Sequence, residues 1–207
     1  LVHECSVMTS CTTRPAAVAA VADYISNMRV LVVGSGGVGS AFVAIASTRA
    51  AFDHITVADI DIDKATAAAA TATNADDDGN RNRIVAAHVD ASSESSVATL
   101  AREMSADVVL NACDPRFNPA IFEGAFDAGC HYVDMAMNLS VPHPTLPHEK
   151  TGIRLGDGQF AQSPIWKARG LMALCGMGVE AGFSDVAARY AADEQFSEIH
   201  EIGVRDG

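Results

Sequence analysis

Positive charge is scarce in this sequence of 207 residues. Lysine and arginine together number 14 against 26 aspartate and glutamate residues, which gives a formal net charge of -12 and a pI near 4.8. No basic stripe interrupts this acidic composition. Because nucleic acids and anionic membrane surfaces would be repelled over much of such a surface, we expect neither as a partner.

The sequence also lacks cysteine pairs and long apolar runs. Its 5 cysteines stand singly, with no C-x-x-C spacing, which argues against a disulfide framework or a zinc site. We therefore predict no bound metal and a reducing, cytoplasmic location. No apolar run reaches the roughly 18 residues that a membrane-spanning helix needs, so we expect no span.

The most informative feature that is present is a glycine motif at the end of an apolar run. The run Val30–Val33 is typical of a buried strand, and it leads directly into G-x-G-x-x-G. In such a motif Gly34 permits a tight turn, Gly36 lets the backbone approach a pyrophosphate, and Gly39 lets the next helix pack close to the strand. The amino terminus of that helix favours anions. The candidate phosphate-binding residues are Gly34, Ser35, Gly36, Gly37, Val38 and Gly39.

A carboxylate stands where this pattern predicts contact with a ribose. A second strand, Ile55–Ala58, ends at Asp59, whose carboxylate can accept hydrogen bonds from ribose hydroxyls. Asp61 adds a second negative charge that would repel a 2′-phosphate, so we expect NAD as the cofactor. The nearby Lys64 keeps NADP as an alternative. The alternative to a dinucleotide site is a glycine turn with a purely structural role.

Strands and helices alternate along the chain, which predicts an α/β fold with a doubly wound parallel sheet of the Rossmann type. Further strands are expected over 83–89, 107–111 and 131–134. The predicted helices cover 37–49, 63–75, 93–104 and 118–128.

Ligands in such sheets lie at the carboxyl ends of the strands, so the residues there are site candidates. Asp and Asn at these positions can instead cap the following helix or turn, and this second interpretation stays open. The candidates that line the cofactor are Asp90, Ala91, Asn111, Ala112, Cys113 and Met135, and the candidate catalytic carboxylates are Asp134 and Asp114.

The sequence suggests three regions. Residues 1–27 lack a strand pattern and precede Met28, so we expect an extension outside the fold that is disordered or not native. Residues 28–175 are predicted to form the nucleotide-binding domain. Because residues 198–204 alternate like a strand, residues 176–207 are predicted to begin a truncated second α+β domain. The proline- and glycine-containing segment 138–163 is expected to be an irregular loop, and a candidate lid.

Taken together, these segments resemble the saccharopine dehydrogenase family. The resemblance rests on residues 28–39 with Asp59, 89–90, 107–112, 129–134 and 176–185, in that order. It implies that the glycine turn and Asp59, Asp90, Ala112 and Cys113 line the cofactor, and that Asp134 and Met135 lie where relatives contact substrate. The sequence departs from the family at Glu180-Ala181-Gly182, where relatives usually carry Asp-Pro-Gly.

The resemblance implies hydride transfer between NAD(P) and an amino-acid-derived imine or secondary amine, as in lysine metabolism. In that chemistry Asp134 could pair with a substrate ammonium or hold a proton. A polyamine-pathway reductase of the carboxynorspermidine type is one alternative, and a non-catalytic nucleotide sensor is another. The family also implies a homodimer formed through a carboxyl-terminal domain that this chain mostly lacks.

Overall fold

The structure, a computed structural model, describes residues 27–73, 83–178 and 182–203. Its strands are β1 Met28–Val33, β2 Phe52–Asp59, β3 Ile84–His88, β4 Val108–Asn111, β5 His131–Asp134 and β6 Ala173–Leu174. They form one parallel sheet in the order β3-β2-β1-β4-β5-β6. The predicted doubly wound parallel sheet is therefore confirmed.

Seven helices accompany the sheet in the described residues. They are α1 Gly37–Ala46, α2 Ile62–Thr73, α3 Glu94–Glu103, α4 Asn118–Ala128, α5 Asp157–Ala161, α6 Ser163–Ala168 and α7 Phe183–Glu194. A 3-10 turn, Pro115–Phe117, precedes α4. Among the helices that are described, none is long and apolar enough to cross a membrane.

Strand β1 lies at the centre of the fold because both of its faces are apolar. Successive side chains of a strand point to opposite faces, so Leu31 and Val33 join one core and Val30 and Val32 the other. The first core includes the buried Trp166 of α6. A strand covered on both faces needs the continuous apolar run that the sequence shows.

Several boundaries differ from the sequence predictions. Helix α1 ends at Ala46 rather than at residue 49, and β2 begins at Phe52 rather than at Ile55. The two-residue strand β6 was not predicted. The segment expected to be irregular contains an antiparallel bridge between Val141 and Ile153, and it also contains α5.

The prediction of a strand over residues 198–204 is wrong for the residues of this range that the structure describes. Residues 198–203 form no strand, because no neighbouring strand pairs with them in the described part of the chain. Residues 1–26 of the expected extension lie outside the described residues, as do Glu180 and Ala181 of the family departure. The domain boundary at residue 175 stays a prediction.

Candidate functional site

A cavity of about 350 Å³ lies at the carboxyl ends of β1 and β4, where the order of the strands reverses. This is the position at which open α/β sheets bind ligands. Seven of the predicted cofactor residues line the cavity: Gly34, Gly36, Asp59, Asp90, Ala91, Ala112 and Cys113. The predicted catalytic residue Asp114 also lines it. Four further lining residues were not predicted as site residues: Val33, Ile60, Val89 and Phe117.

The glycine turn is shaped as the motif predicts. Gly34 has a φ of 101°, and a Cβ there would lie 2.8 Å from the sulfur of Cys113. A Cβ on Gly39 would overlap the carbonyl oxygen of Gly34. Both positions therefore require glycine. Neither has room for a Cβ, and Gly34 in addition has a backbone conformation that other residues rarely adopt.

Gly36 differs from these two glycines because it faces open space. Its φ of -66° is accessible to any residue, and a Cβ there would meet no described heavy atom within 4 Å. Gly36 also precedes the first residue of α1, whose amino terminus has no side-chain cap in the described structure. Backbone N–H groups of an uncapped helix start can bind a phosphate, so the residues present fit a dinucleotide.

Asp59, the last residue of β2, is held at the edge of the cavity by hydrogen bonds. One oxygen, Oδ2, accepts from the backbone N–H and from the hydroxyl of Ser35, each at 2.8 Å. The other, Oδ1, accepts from the N–H of Asp61 at 3.1 Å. Burial alone would raise the pKa of Asp59, but these hydrogen bonds outweigh it and the pKa lies below its ordinary value. Asp59 is therefore ionised at neutral pH.

Two further carboxylates line the cavity and also cap local turns. Asp90 accepts hydrogen bonds from the hydroxyl and the N–H of Ser92, at 2.6 and 2.9 Å, and these lower its pKa. Asp114 accepts from the side chain and the N–H of Arg116, which lowers its pKa as well. The capping interpretation left open by the sequence therefore describes these contacts, while both residues still face the cavity.

The cavity is negative in character. Three of its residues are aspartates, and none of the described residues that line it is basic. Lys64, the cation that left NADP as an alternative, pairs with Asp61 at 3.8 Å. Arg116 pairs with Asp114 at 2.9 Å. Ribose hydroxyls are better partners for such a surface than a second phosphate.

Asn111 does not line the cavity but supports the loop that does. Its side chain is buried, and its Oδ1 accepts a hydrogen bond from the N–H of Cys113. Its Nδ2 donates to Asn118 Oδ1 at 2.7 Å and to the hydroxyl of Tyr132 at 3.0 Å. Asn111 is therefore linked to the cavity by its hydrogen bond with the N–H of Cys113, and its predicted contact with the cofactor stays a prediction.

Asp134 is enclosed, in contrast to the aspartates of the cavity. The residue is 1% exposed. Oδ1 accepts from Gly176 N–H at 2.6 Å and Oδ2 from Gln159 Nε2 at 2.7 Å. Burial raises its pKa, although the hydrogen bonds oppose this effect. Asp134 is not among the described lining residues, and its neighbour Met135 packs against the core. Their predicted roles in contacting substrate or cofactor stay predictions.

The described cysteines are protonated thiols. Burial raises the pKa of Cys113 and Cys130 to about 11 and that of Cys175 to about 12. A thiol with such a pKa is a poor nucleophile. Among the residues that are described, no group of three or more His, Cys, Asp or Glu side chains could hold a metal ion.

Comparison with known proteins identifies the part of the chain that carries these features. A model of the saccharopine dehydrogenase NADP binding domain matches residues 30–174, from β1 to the end of β6. The chain is 29% identical to a carboxynorspermidine synthase of Vibrio cholerae and 28% identical to a carboxyaminopropylagmatine dehydrogenase of Synechocystis. Each match covers 86% of this chain, but 43% and 41% of the respective relative. The chain thus spans less than half the length of these curated relatives.

A solved structure has the same fold. Apo saccharopine dehydrogenase (L-Glu forming) from Saccharomyces cerevisiae superposes with a TM-score of 0.57 at 20% identity. The match covers 81% of this chain and 31% of the yeast chain. At this identity the likeness supports the fold alone.

Proposed function

This chain belongs to the saccharopine dehydrogenase family, and on that premise we propose that it is the dinucleotide-binding part of an NAD(P)-dependent oxidoreductase. The observation that carries the proposal is the cavity at the reversal of strand order, bordered by the open Gly36 and by the ionised Asp59. A nicotinamide dinucleotide would supply the hydride for the reaction. The glycine turn and the start of α1 would hold its phosphates, and Asp59 its ribose.

We propose NAD rather than NADP as the preferred cofactor. The three aspartates of the lining support this preference. Lys64 is the opposing feature, because it is an exposed cation 3.8 Å from Asp61 that also lowers the pKa of Asp59. A 2′-phosphate would bring a second negative charge toward Asp59 without a basic partner in the described lining. The matching family model is described as NADP binding, so the NAD preference that we propose departs from that description.

For the substrate we propose an amino-acid-derived imine or secondary amine. The names of the two bacterial relatives favour a polyamine-type reductase over a reductase of lysine metabolism. A nucleotide sensor without catalysis remains the alternative from another class. Turnover of NADH with a 2-oxo acid or aldehyde and an amine, by a longer protein that includes the predicted second domain, would support the enzyme. Binding of NADH without turnover for any such pair would favour the sensor.

We extend the proposal to the surroundings of this domain. Residues 176–207 would begin a second domain that contributes substrate contacts and a homodimer interface, in a cytoplasmic protein. The exposed apolar side chains of α7, among them Phe183, Val186 and Tyr190, support packing against a further part of the protein. A dimer in sedimentation experiments on the longer protein, beside a monomer for this chain, would support this assignment, and a monomeric longer protein would remove it.

The cavity itself is tested by filling it. Gly36→Val places a side chain in open space without a change of backbone conformation, so the fold should be retained while NADH binding is lost. Gly203→Val is the matched control, because a Cβ at Gly203 also meets no described atom within 4 Å but lies far along the chain. Binding would be followed by nicotinamide fluorescence. Undiminished binding by Gly36→Val would remove the proposed site.

A further inference from the structure

We propose that Ser35 is a positioning residue for cofactor discrimination, and that it favours NAD over NADP by orienting the carboxylate of Asp59. The inference rests on the proposed function, because it specifies how the proposed cavity selects its ligand. Ser35 was expected to contact the phosphates, but the contacts of its side chain assign it a different task.

The hydroxyl of Ser35 points to Asp59 and is withdrawn from solvent. Ser35 is 7% exposed, and its Oγ and its N–H both donate to the same oxygen, Oδ2. Ser35 is not among the described residues that line the cavity, whereas Asp59 is. Ser35 therefore acts on a bound ligand through the carboxylate.

The two donors of Ser35 fix the orientation of the Asp59 carboxylate. Oδ2 is occupied by two hydrogen bonds, while Oδ1 accepts from the N–H of Asp61 at a longer 3.1 Å. A carboxylate oxygen has two lone pairs, so Oδ1 keeps capacity for a further donor. A ribose hydroxyl is such a donor, whereas a 2′-phosphate brings only acceptors and negative charge. An ionised Asp59 with a fixed orientation would therefore discriminate between NAD and NADP.

Ser35 itself is anchored to the helix that follows. The hydroxyl of Ser40 in α1 donates to the carbonyl oxygen of Ser35 at 2.7 Å. Ser35 thereby connects three elements: the glycine turn in which it lies, α1, and the end of β2. Ser35 thus connects the glycine turn, proposed to hold the phosphates, with Asp59, proposed to hold the ribose. A dinucleotide that contacts both would find them already fixed relative to each other.

Removal of the hydroxyl leaves the second donor in place. In Ser35→Ala the N–H still donates to Asp59, but the carboxylate loses one of the two bonds that fix Oδ2. We expect the ratio of NADPH to NADH dissociation constants to fall roughly three- to tenfold, the value of one hydrogen bond at a partly exposed site. Ser35→Thr keeps a hydroxyl and should restore the ratio.

The test measures this ratio by nicotinamide fluorescence for the wild-type chain, Ser35→Ala and Ser35→Thr. Ser35→Gly provides a second variant without the hydroxyl, should Ser35→Ala fold poorly. Ser92→Ala is the matched control, because the hydroxyl of Ser92 bonds Asp90 at 2.6 Å in the same way at the next strand. We expect that variant to leave the ratio unchanged. A merely structural role of Ser35 would weaken both cofactors alike and leave the ratio as it was.

A double variant identifies the route of the effect. If Ser35 acts through Asp59, Ser35→Ala should not change the ratio further in an Asp59→Ala background. An unchanged ratio in Ser35→Ala and Ser35→Gly, with a wild-type chain that prefers NADH, overturns this inference and leaves the proposed function intact. A wild-type chain that binds neither cofactor overturns the proposed function and this inference with it.

Discussion

Asp59 and Asp134 occupy equivalent places in the sheet and have opposite surroundings. Each is the last residue of a parallel strand, β2 and β5 respectively. Asp59 lines the cavity and its pKa is lowered, whereas Asp134 is enclosed and its pKa is raised. The position at a strand end therefore predicts the edge of the sheet at which a carboxylate lies, but it does not predict whether that carboxylate reaches a ligand.

The chain that follows each strand makes the difference. After Asp59 the backbone turns directly into α2, and the carboxylate stays at the cavity. After Asp134 the chain returns twice, and it brings Gln159 of α5 and the N–H of Gly176 onto the two carboxylate oxygens. Asp59 therefore borders the cavity, and Asp134 joins three segments of the chain through its hydrogen bonds. The predicted roles of Asp59 toward a cofactor and of Asp134 toward a substrate stay predictions.

Removal of the enclosed carboxylate should cost the most stability. Asp134→Ala leaves the N–H of Gly176 and the amide of Gln159 without their acceptor. We expect the free energy of unfolding to fall by roughly 2 to 5 kcal/mol, because each unsatisfied buried donor costs about 1 to 3 kcal/mol. Urea unfolding at neutral pH measures the loss. A change below about 0.5 kcal/mol, the range of ordinary surface substitutions, would contradict the enclosed role.

A smaller loss is expected when one of the covering residues is changed. Gln159 is buried, donates to Asp134 and accepts from the N–H of Asn138 at 2.8 Å. Gln159→Leu should lower the free energy of unfolding by about 1 to 3 kcal/mol, since Asp134 keeps its bond from Gly176. Gln195→Leu, on an exposed side chain, is the control and should change little. Equal stabilities of the two variants would show that Gln159 does not enclose Asp134.

The two carboxylates should also give opposite dependences of stability on pH. Because the folded-state pKa of Asp134 is raised, its protonation adds stability to what its hydrogen bonds contribute. This added stability is fully present below the ordinary pKa of 3.8 and is lost as the pH rises through the raised value. A lowered pKa means that Asp59 contributes above 3.8 and loses its contribution as the pH falls through the lowered value.

Urea unfolding over a pH series measures both dependences. Relative to Asp134→Asn, the wild-type chain should lose stability with rising pH above 3.8. Relative to Asp59→Asn, it should lose stability with falling pH below 3.8. For each variant, the difference in the free energy of unfolding from the wild-type chain is plotted against pH. Slopes of the same sign for Asp134→Asn and Asp59→Asn would contradict the contrast between an open and an enclosed carboxylate.

The smallest expected effect on stability belongs to the open carboxylate. Asp59→Ala should lower the free energy of unfolding by about 1 kcal/mol, the low end of the cost of losing a hydrogen-bond partner. The hydroxyl and the N–H of the buried Ser35 lose their acceptor, but water from the open cavity can enter the space that the carboxylate leaves. The same change should weaken NADH binding about tenfold and NADPH binding less, since it removes an acceptor from one and a repulsion from the other. A large loss of stability with an unchanged cofactor ratio would assign Asp59 to the structure rather than to the ligand.

Local signals explain what could be predicted from the sequence. Helix α4 and strand β5 have the predicted bounds, and Gly129 with a φ of 78° ends the helix between them. The glycine turn and the position of Asp59 at a strand end could also be predicted, because each depends on residues that are close in sequence. Enclosure of Asp134 depends instead on residues 25 and 42 positions away. The Ser35 to Asp59 contact spans 24 positions, so only the assembled fold reveals what the hydroxyl does.

The role of the cavity and of Asp59 in cofactor binding is tested by titrating the wild-type chain and Asp59→Ala with NADH and with NADPH, followed by nicotinamide fluorescence. We expect the wild-type chain to bind NADH more tightly than NADPH, and Asp59→Ala to narrow the difference between the two dissociation constants. Tighter binding of NADPH by the wild-type chain, or binding of neither cofactor, would contradict the assignment of the cavity and of Asp59.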